Sequence, residues 1–210
     1  MQNYRTAGSK RALLVSAYHE AGHVVVSHFF KRKVHHAEIG EKDRNFMISS
    51  QTPSLVELAK TYVEEALESD EFWRDYVEMI RVWCAIYAAG PIAESIYTGV
   101  DMRQLRGGDD YEQIIDLCRH LSRLAEKLRG YDSVNDGFKK TFFGDILELP
   151  AGVLSKSGGW LYVERIVGAL MMKIVLAADD LELLLTGMPQ SDGHTPYAKP
   201  TVNFQYALRF

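Results

Sequence analysis

The sequence has few of the residues that build cross-linked or secreted folds. Only two of its 210 residues are cysteines, Cys84 and Cys118, and they lie far apart in the chain. Small domains that depend on disulfides carry more cysteines, so no disulfide framework is expected. Residues 1–10 are polar and lack the apolar stretch of a signal peptide. A reducing cytoplasm is therefore the expected compartment.

Long apolar runs and a strong charge of one sign are also missing. The longest apolar stretch, residues 166–178, is interrupted by Lys173 and is shorter than the roughly 20 residues that cross a bilayer. The formal net charge of -4 gives no electrostatic reason to bind nucleic acid or an anionic membrane. We therefore expect a soluble globular protein with no direct membrane insertion and no nucleic-acid partner.

The sequence contains no G-x-x-x-x-G-K-[ST] segment. This glycine-rich loop binds nucleotide phosphates through its backbone amides in many ATPases. We therefore expect the chain to have no ATPase of its own.

Most of the sequence has the three- and four-residue apolar spacing of helices. Two short β-compatible runs, residues 34–39 and 46–50, lie on either side of a turn-rich segment and predict a hairpin. The fold is thus expected to be mainly α with a small β-hairpin or sheet. The expected helices cover residues 11–30, 55–68, 70–90, 92–97, 109–129 and 160–178.

The expected domain spans residues 10–186. It follows a flexible N-terminus, residues 1–9, and precedes a C-terminal tail, residues 187–210, which has prolines and no apolar period. Within the domain, the glycine-containing residues 130–145 are expected to form a loop.

The pentapeptide His19-Glu20-Ala21-Gly22-His23 contains candidate metal-binding and catalytic residues. Histidines four residues apart lie about one helical turn from each other, so both imidazoles project from one face and can bind one metal ion. Glu20 can then reach a water that the metal activates and take its proton. The small residues between the histidines let another element approach the helix closely. This H-E-x-x-H arrangement is typical of zinc-dependent hydrolases.

A catalytic zinc ion needs three protein ligands and one open position, so the third ligand must come from elsewhere. Metzincins place a glycine and a histidine three and six residues after the second histidine, but this chain has Val26 and Phe29 there. His28, five residues after His23, is turned away from the metal-facing side of the helix and is expected to be a partly buried histidine. The other histidines are scattered and are expected to be ordinary surface or hydrogen-bonded residues. A carboxylate on a later helix is the remaining choice, and residue type does not select one. The candidates are Glu64, Glu65, Glu94, Asp109 and Asp110.

Three blocks of the sequence resemble the FtsH-type proteases, which are membrane-bound ATP-dependent zinc enzymes. Residues 17–23, A-Y-H-E-A-G-H, are similar to the family's active-site motif A-x-H-E-A-G-H. Residues 89–94, A-G-P-I-A-E, are similar to its G-G-R-x-A-E segment, with proline in place of arginine. Residues 107–111, G-G-D-D-Y, are similar to its G-A-x-N-D-L segment, whose aspartate is the third zinc ligand. By position, that ligand is Asp110.

The resemblance implies an FtsH protease-domain-like helical fold that stands alone, without the ATPase and transmembrane parts. In such a zinc metalloendopeptidase, His19, His23 and Asp110 would bind Zn2+ and Glu20 would act as the general base. The substrates would be peptides or unfolded protein segments, and a separate ATPase could be a partner. If residues 46–50 form an exposed edge strand, they could align an extended peptide by β-augmentation. A homo-oligomer is left open.

Two other functions stay open. One is a non-catalytic metal-binding module, regulatory or for interaction, derived from an FtsH-like protease domain. The other is a metal-dependent hydrolase that acts on something other than peptides. Metal analysis together with a Glu20→Gln comparison on an unfolded substrate discriminates the peptidase from the metal-binding module.

Overall fold

The computed structural model describes residues 3–40, 45–48, 69–101, 108–129, 136–156 and 158–191. These residues form six helices and three short strands, so the expectation of a mainly helical fold with a small sheet is confirmed. The helices are α1 (Asn3–Phe29), α2 (Asp70–Thr98), α3 (Asp109–Arg129), α4 (Asp136–Lys156), α5 (Gly159–Lys173) and α6 (Ala178–Leu184). The strands are β1 (Val34–Glu38), β2 (Asn45–Ile48) and β3 (Val175–Ala177).

Helix α1 lies at the centre of the fold. From Ser16 to Ser27 all residues except Tyr18 are buried, and the helix packs most extensively against α2 and α5. The packing against α2 is unusually close because of Gly22. A Cβ atom added there would lie 2.5 Å from the carbonyl oxygen of Ala89. This close approach brings the histidine-bearing face of α1 directly against α2.

Helix α2 continues without a break through Gly90 and Pro91. The predicted helix end at these residues, with a separate helix over 92–97, is therefore wrong. A proline inside a helix removes one backbone hydrogen bond and costs about 3 kcal/mol. The residues on both sides of the proline are buried in the core, and this packing outweighs the local preference. The helix ends instead at Thr98, before Gly99 in the left-handed conformation.

The three strands form one sheet in the order β2-β1-β3, with both outer strands antiparallel to β1. Ala37 in the middle of β1 pairs with Phe46 of β2 on one side and with Leu176 of β3 on the other. The predicted hairpin is thus present as β1 and β2. Within the described part of the chain, β2 and β3 are the edges of this sheet.

Strand β3 replaces the end of a predicted helix. The sequence predicted one helix over residues 160–178, but α5 ends at Lys173 and Ile174 has a left-handed φ of 68°. The backbone N–H of Ile39 donates to the carbonyl oxygen of Ile174, at the start of the pairing between β1 and β3. Leu176 is then buried in the core. Pairing with a distant strand decides the conformation here.

Helix α4 covers most of a region for which the sequence predicted a loop. The predicted loop comprised residues 130–145, whereas α4 begins at Asp136. Four of its apolar residues share one helical face and are buried in the core shared with α2, which compensates for Pro150 and the glycines inside the helix. These residues are Ile146, Leu149, Val153 and Leu154.

Both ends of the described chain are more ordered than the sequence predicted. Helix α1 begins at Asn3, whereas the sequence predicted a flexible start over residues 1–9 and a helix from residue 11. At the other end, Met188 is buried and the backbone N–H of Ser191 donates to the carbonyl oxygen of Phe29. The predicted helix over residues 55–68 and the rest of the tail lie outside the described residues. The domain boundaries at residues 10 and 186 stay predictions.

A helix must be both long and apolar to cross a bilayer. Among the helices in the described segments, none is both long enough and apolar enough to cross a membrane. The apolar stretch over residues 166–178 is divided between α5, β3 and the first residue of α6.

Candidate metal centre

Helix α1 places His19 and His23 side by side, as their spacing predicted. Their Nε2 atoms are 3.1 Å apart, and the two rings meet edge to face with their centroids 4.8 Å apart. Both residues are buried, His23 completely. The two imidazoles therefore point at one small volume of the protein interior.

Asp110, in the first turn of α3, adds an oxygen to this pair of nitrogens. Its Oδ2 atom lies 2.9 Å from Nε2 of His19 and 3.3 Å from Nε2 of His23. A tetrahedral zinc ion with ligand bonds of 2.0–2.2 Å holds its ligand atoms about 3.3 Å apart. The three atoms are thus spaced like three ligands of one ion, and together they form a possible metal-binding cluster.

The opposite ring nitrogens of both histidines are held by α2. Nδ1 of His23 lies 2.8 Å from the carbonyl oxygen of Ile86, which can only accept a hydrogen bond, so we assign the proton to Nδ1. Nδ1 of His19 likewise lies 3.1 Å from Oε2 of the Glu94 carboxylate. With the proton on Nδ1, the neutral imidazole presents a lone pair on Nε2. Histidines that bind metal ions are usually oriented by such outer contacts.

These assignments leave three lone-pair atoms facing one another at 2.9–3.3 Å. Their mutual repulsion is relieved only by positive charge between them, either protons on the imidazoles or a cation. Burial alone would raise the pKa of the Asp110 carboxyl, but when the imidazoles are protonated the charge of His23 and the hydrogen bonds that His19 and His23 donate outweigh it and hold that pKa well below its usual range. Two nitrogens and one ionised carboxylate are ligands that zinc prefers, so these residues fit a zinc ion.

Gly90 of α2 provides the space that the imidazoles occupy. A Cβ atom added at this position would lie 2.2 Å from Nε2 of His23 and 2.7 Å from Nε2 of His19. Any larger residue would therefore displace the ring atoms that face Asp110. Residues 89–94, the second block that resembles the FtsH-type proteases, thus contact the site through Gly90 and Glu94.

Glu20 is buried, with 1% of its surface exposed. It follows His19 on α1 and precedes His23 by three residues, so its side chain projects from the helix about 100° from that of His19 and about 60° from that of His23. The structure thus buries the Glu20 side chain on the same stretch of α1 that carries both histidines. Its role as general base stays a prediction.

The other carboxylates considered as third ligands lie elsewhere. Asp109 is exposed and is absent from the cluster that Asp110 forms with the two histidines. Glu94 accepts a hydrogen bond from Nδ1 of His19. This nitrogen is on the opposite side of the ring from Nε2, which faces Asp110. Glu64 and Glu65 lie outside the described residues.

Sequence reasoning missed how α2 supports the site. Glu94 was considered only as a ligand, and neither the Ile86 carbonyl group nor the space at Gly90 was expected. The similarity of residues 89–94 to a motif block was a signal for Gly90 and Glu94. Ile86 contributes its backbone carbonyl oxygen, which every residue has, so no sequence pattern predicts this contact.

The chain was also compared with known proteins. No model of a known protein family matches it, and no curated protein matches it at a significant level. The resemblance to FtsH-type proteases therefore depends on the three motif blocks alone and stays a prediction.

Proposed function

We propose that this chain is a zinc-dependent metallopeptidase of the FtsH-like, aspartate-completed type. The observation that carries the proposal is the convergence of His19 Nε2, His23 Nε2 and Asp110 Oδ2 within 3.3 Å of one another. Two histidines in that position with both Nδ1 atoms already engaged are preorganised to donate lone pairs to a cation. The H-E-x-x-H spacing and the two further motif blocks add the hydrolase interpretation.

Each residue of the site has a separate role in this proposal. His19, His23 and Asp110 would hold the zinc ion, while Glu94 and the Ile86 carbonyl group would keep the imidazoles in the binding tautomer. When bound, zinc would polarise a carbonyl group and lower the pKa of a water molecule. The buried, partly apolar surroundings would strengthen these electrostatic interactions.

Glu20 would carry the protons. Hydrolysis of an amide requires that a proton leave the attacking water and that another reach the departing nitrogen. A carboxylate beside the histidines can accept the first proton and return it to the leaving amine. Since Glu20 is buried next to the histidines on a regular helix, its position is fixed by the helix rather than by a loop.

The substrates are proposed to be peptides or unfolded protein segments. Strand β2 lies at an edge of the described sheet, where its backbone can pair with an extended peptide. The sequence lacks the G-x-x-x-x-G-K-[ST] loop that binds nucleotide phosphates in many ATPases, and such ATPases supply the energy for unfolding. Folded proteins would therefore require a separate ATPase as partner.

The test compares wild type with Glu20→Gln on unfolded casein after both proteins have been loaded with zinc. The exchange keeps the size of the side chain and removes its basicity, so the initial cleavage rate should fall by about 100-fold or more. Zinc content should stay the same. Equal cleavage rates with equal zinc content would exclude Glu20 as the base.

A matched control is Glu112→Gln, which makes the same chemical change at an exposed position on α3. This variant should cleave casein like wild type. If wild type binds zinc but cleaves neither casein nor short peptides, the enzyme proposal fails. The non-catalytic metal-binding module then becomes the better account.

A further inference from the structure

Four large apolar side chains are exposed where the chain passes from α5 through β3 into α6. All four lie within residues 172–183, and these residues are 44% to 81% exposed. A cluster of exposed apolar side chains typically marks a surface that another molecule covers. The four residues are Met172, Ile174, Val175 and Leu183.

An ion pair keeps the two helices that carry these residues together. Nζ of Lys173, the last residue of α5, lies 2.6 Å from Oδ1 of Asp180 in the first turn of α6. Leu183 follows Asp180 by three residues and therefore lies on the same side of α6. Met172 directly precedes Lys173. The end of α5, β3 and this side of α6 thus form one surface over residues 172–183, which we call the β3 surface.

The backbone of β3 has an open edge within this surface. The carbonyl oxygen of Ile174 accepts a hydrogen bond from the strand side of β1, so the backbone groups of Val175, the next residue, point away from β1. By the same alternation, those of Ala177 also point away. The Ala177 N–H donates to Oδ2 of Asp180 over 3.3 Å, which leaves the Ala177 carbonyl group for another strand. Within the described segments, no strand pairs with this edge.

This edge fits a second copy of the chain better than an extended peptide. Only the three residues of β3 have strand geometry, because α5 ends just before them and α6 begins just after them. A peptide would therefore gain few backbone hydrogen bonds. A second copy brings the same edge together with the same apolar side chains, so it can also cover Met172 and Leu183. Exposed strand edges are templates for such pairing between chains.

We propose that the β3 surfaces of two copies bind each other about a two-fold axis that passes through Leu176. Antiparallel pairing then sets residues at equal distances from Leu176 opposite each other. Each Val175 lies opposite the small Ala177 of the other copy, and its N–H donates to the carbonyl group of that Ala177. The two sheets join into one sheet of six strands, with β2 of each copy at an outer edge.

Charged side chains complement each other across the same axis. Lys173 and Asp179 are each three residues from Leu176, on opposite sides, and both are exposed. The two-fold axis therefore brings Lys173 of each copy towards Asp179 of the other, so the dimer contains this contact twice. A pairing shifted by one residue would lose these contacts. The charges thus favour one register of a short strand.

The oligomeric state of the full chain, measured by sedimentation velocity over a range of concentrations, tests the proposal. No metal is added, so the result is independent of the proposed zinc site. We expect an equilibrium between monomer and dimer. A monomer at every concentration would overturn the proposal. A species larger than a dimer would also overturn it, because two-fold pairing closes at two copies.

A substitution on the strand itself tests whether the edge is used. Val175→Lys should weaken dimerisation by about tenfold or more, because it places a charge on the paired edge. Val100→Lys makes the same change at another exposed valine and should dimerise like wild type. Equal dimerisation of the two variants would contradict pairing through β3.

Reversal of the charges tests the two-fold register. Lys173→Glu alone should weaken dimerisation, because each new glutamate faces Asp179 of the other copy. Asp179→Lys alone should also weaken it, because each new lysine faces Lys173. A mixture of the two variants should form a heterodimer about as tightly as wild type, since opposite charges then meet at both contacts. A mixture that associates no better than either variant alone would overturn the proposed register.

The internal ion pair of Lys173 requires its own control. Asp180→Asn removes the pair with Lys173 and leaves both contacts between the copies in place, so this variant should dimerise like wild type. A loss as large as that in Lys173→Glu would contradict the contact with Asp179. Circular dichroism establishes that each variant is folded. Should a charge variant fail to fold, the comparison of Val175→Lys with Val100→Lys decides.

Discussion

Nδ1 of His19 lies 3.1 Å from Oε2 of Glu94, which belongs to a different helix. This contact joins the H-E-x-x-H segment to residues 89–94, the second block that resembles FtsH-type proteases. It also fixes which nitrogen of His19 faces Asp110. The candidate metal centre thus depends on the packing of α1 against α2 as much as on the ligands themselves.

Glu94→Ala should weaken zinc binding although Glu94 is not proposed to touch the metal. Loss of the carboxylate would free the His19 ring to change its tautomer and orientation. Loss of an outer partner of this kind typically costs about 10- to 100-fold in metal affinity. Competition with a chelator of known affinity measures the change. Glu112→Ala, which truncates an exposed glutamate on α3, is the control, and equal affinities in both variants would contradict the positioning role.

Gly90→Ala should weaken zinc binding while α2 persists. The new Cβ atom would lie 2.2 Å from Nε2 of His23, so the imidazoles must move out of the ligand position. Alanine favours helix more than glycine does, so no helical propensity is lost. We expect zinc affinity to fall by more than about tenfold. Gly168→Ala, at an exposed site on α5 with nothing near the added atom, should bind zinc like wild type.

Gly22→Ala should destabilise the fold. Its Cβ atom would lie 2.5 Å from the Ala89 carbonyl oxygen and 2.7 Å from Cβ of Ala93, so α1 and α2 must separate. Overpacking of this kind costs about 1–3 kcal/mol in the free energy of unfolding, which urea denaturation measures. Gly168→Ala should instead stabilise the protein slightly. A Gly22→Ala variant as stable as Gly168→Ala would show that the helices are not in such close contact.

Asp110→Ala should lower zinc content and Asp109→Ala should not. The two side chains point about 100° apart on a helix, so they cannot serve as equal ligands. Zinc content per chain after dialysis, determined by elemental analysis, measures the difference. Loss of zinc only in Asp109→Ala would move the third ligand one residue towards the N-terminus.

The predictable part of the site was the part set by local geometry. His19 and His23 are placed together by the pitch of one helix, so their spacing was sufficient to predict their convergence. Asp110 depends on how α3 packs on α2, and residue type alone left it among five carboxylates. Only the family resemblance selected it. The role of Glu94 depends on the contact between α1 and α2, which no local pattern describes.

The same distinction explains the errors in the fold. Pro91 and the glycines of α4 carry strong local preferences, which buried packing outweighs in both helices. Residues 175–177 became a strand because β1 offers them hydrogen-bonding partners from a distant part of the chain. The hairpin of β1 and β2 was predictable because its partners are neighbours in sequence.

The central claim is that His19, His23 and Asp110 bind one zinc ion. X-ray absorption spectroscopy at the zinc edge of the purified, zinc-loaded chain tests it most directly, since it distinguishes imidazole, carboxylate and thiolate ligands. We predict one zinc ion per chain with two imidazole nitrogens and further oxygen ligands at about 2.0–2.2 Å. A spectrum with sulfur ligands at about 2.3 Å, or a chain that retains no zinc, would contradict the account.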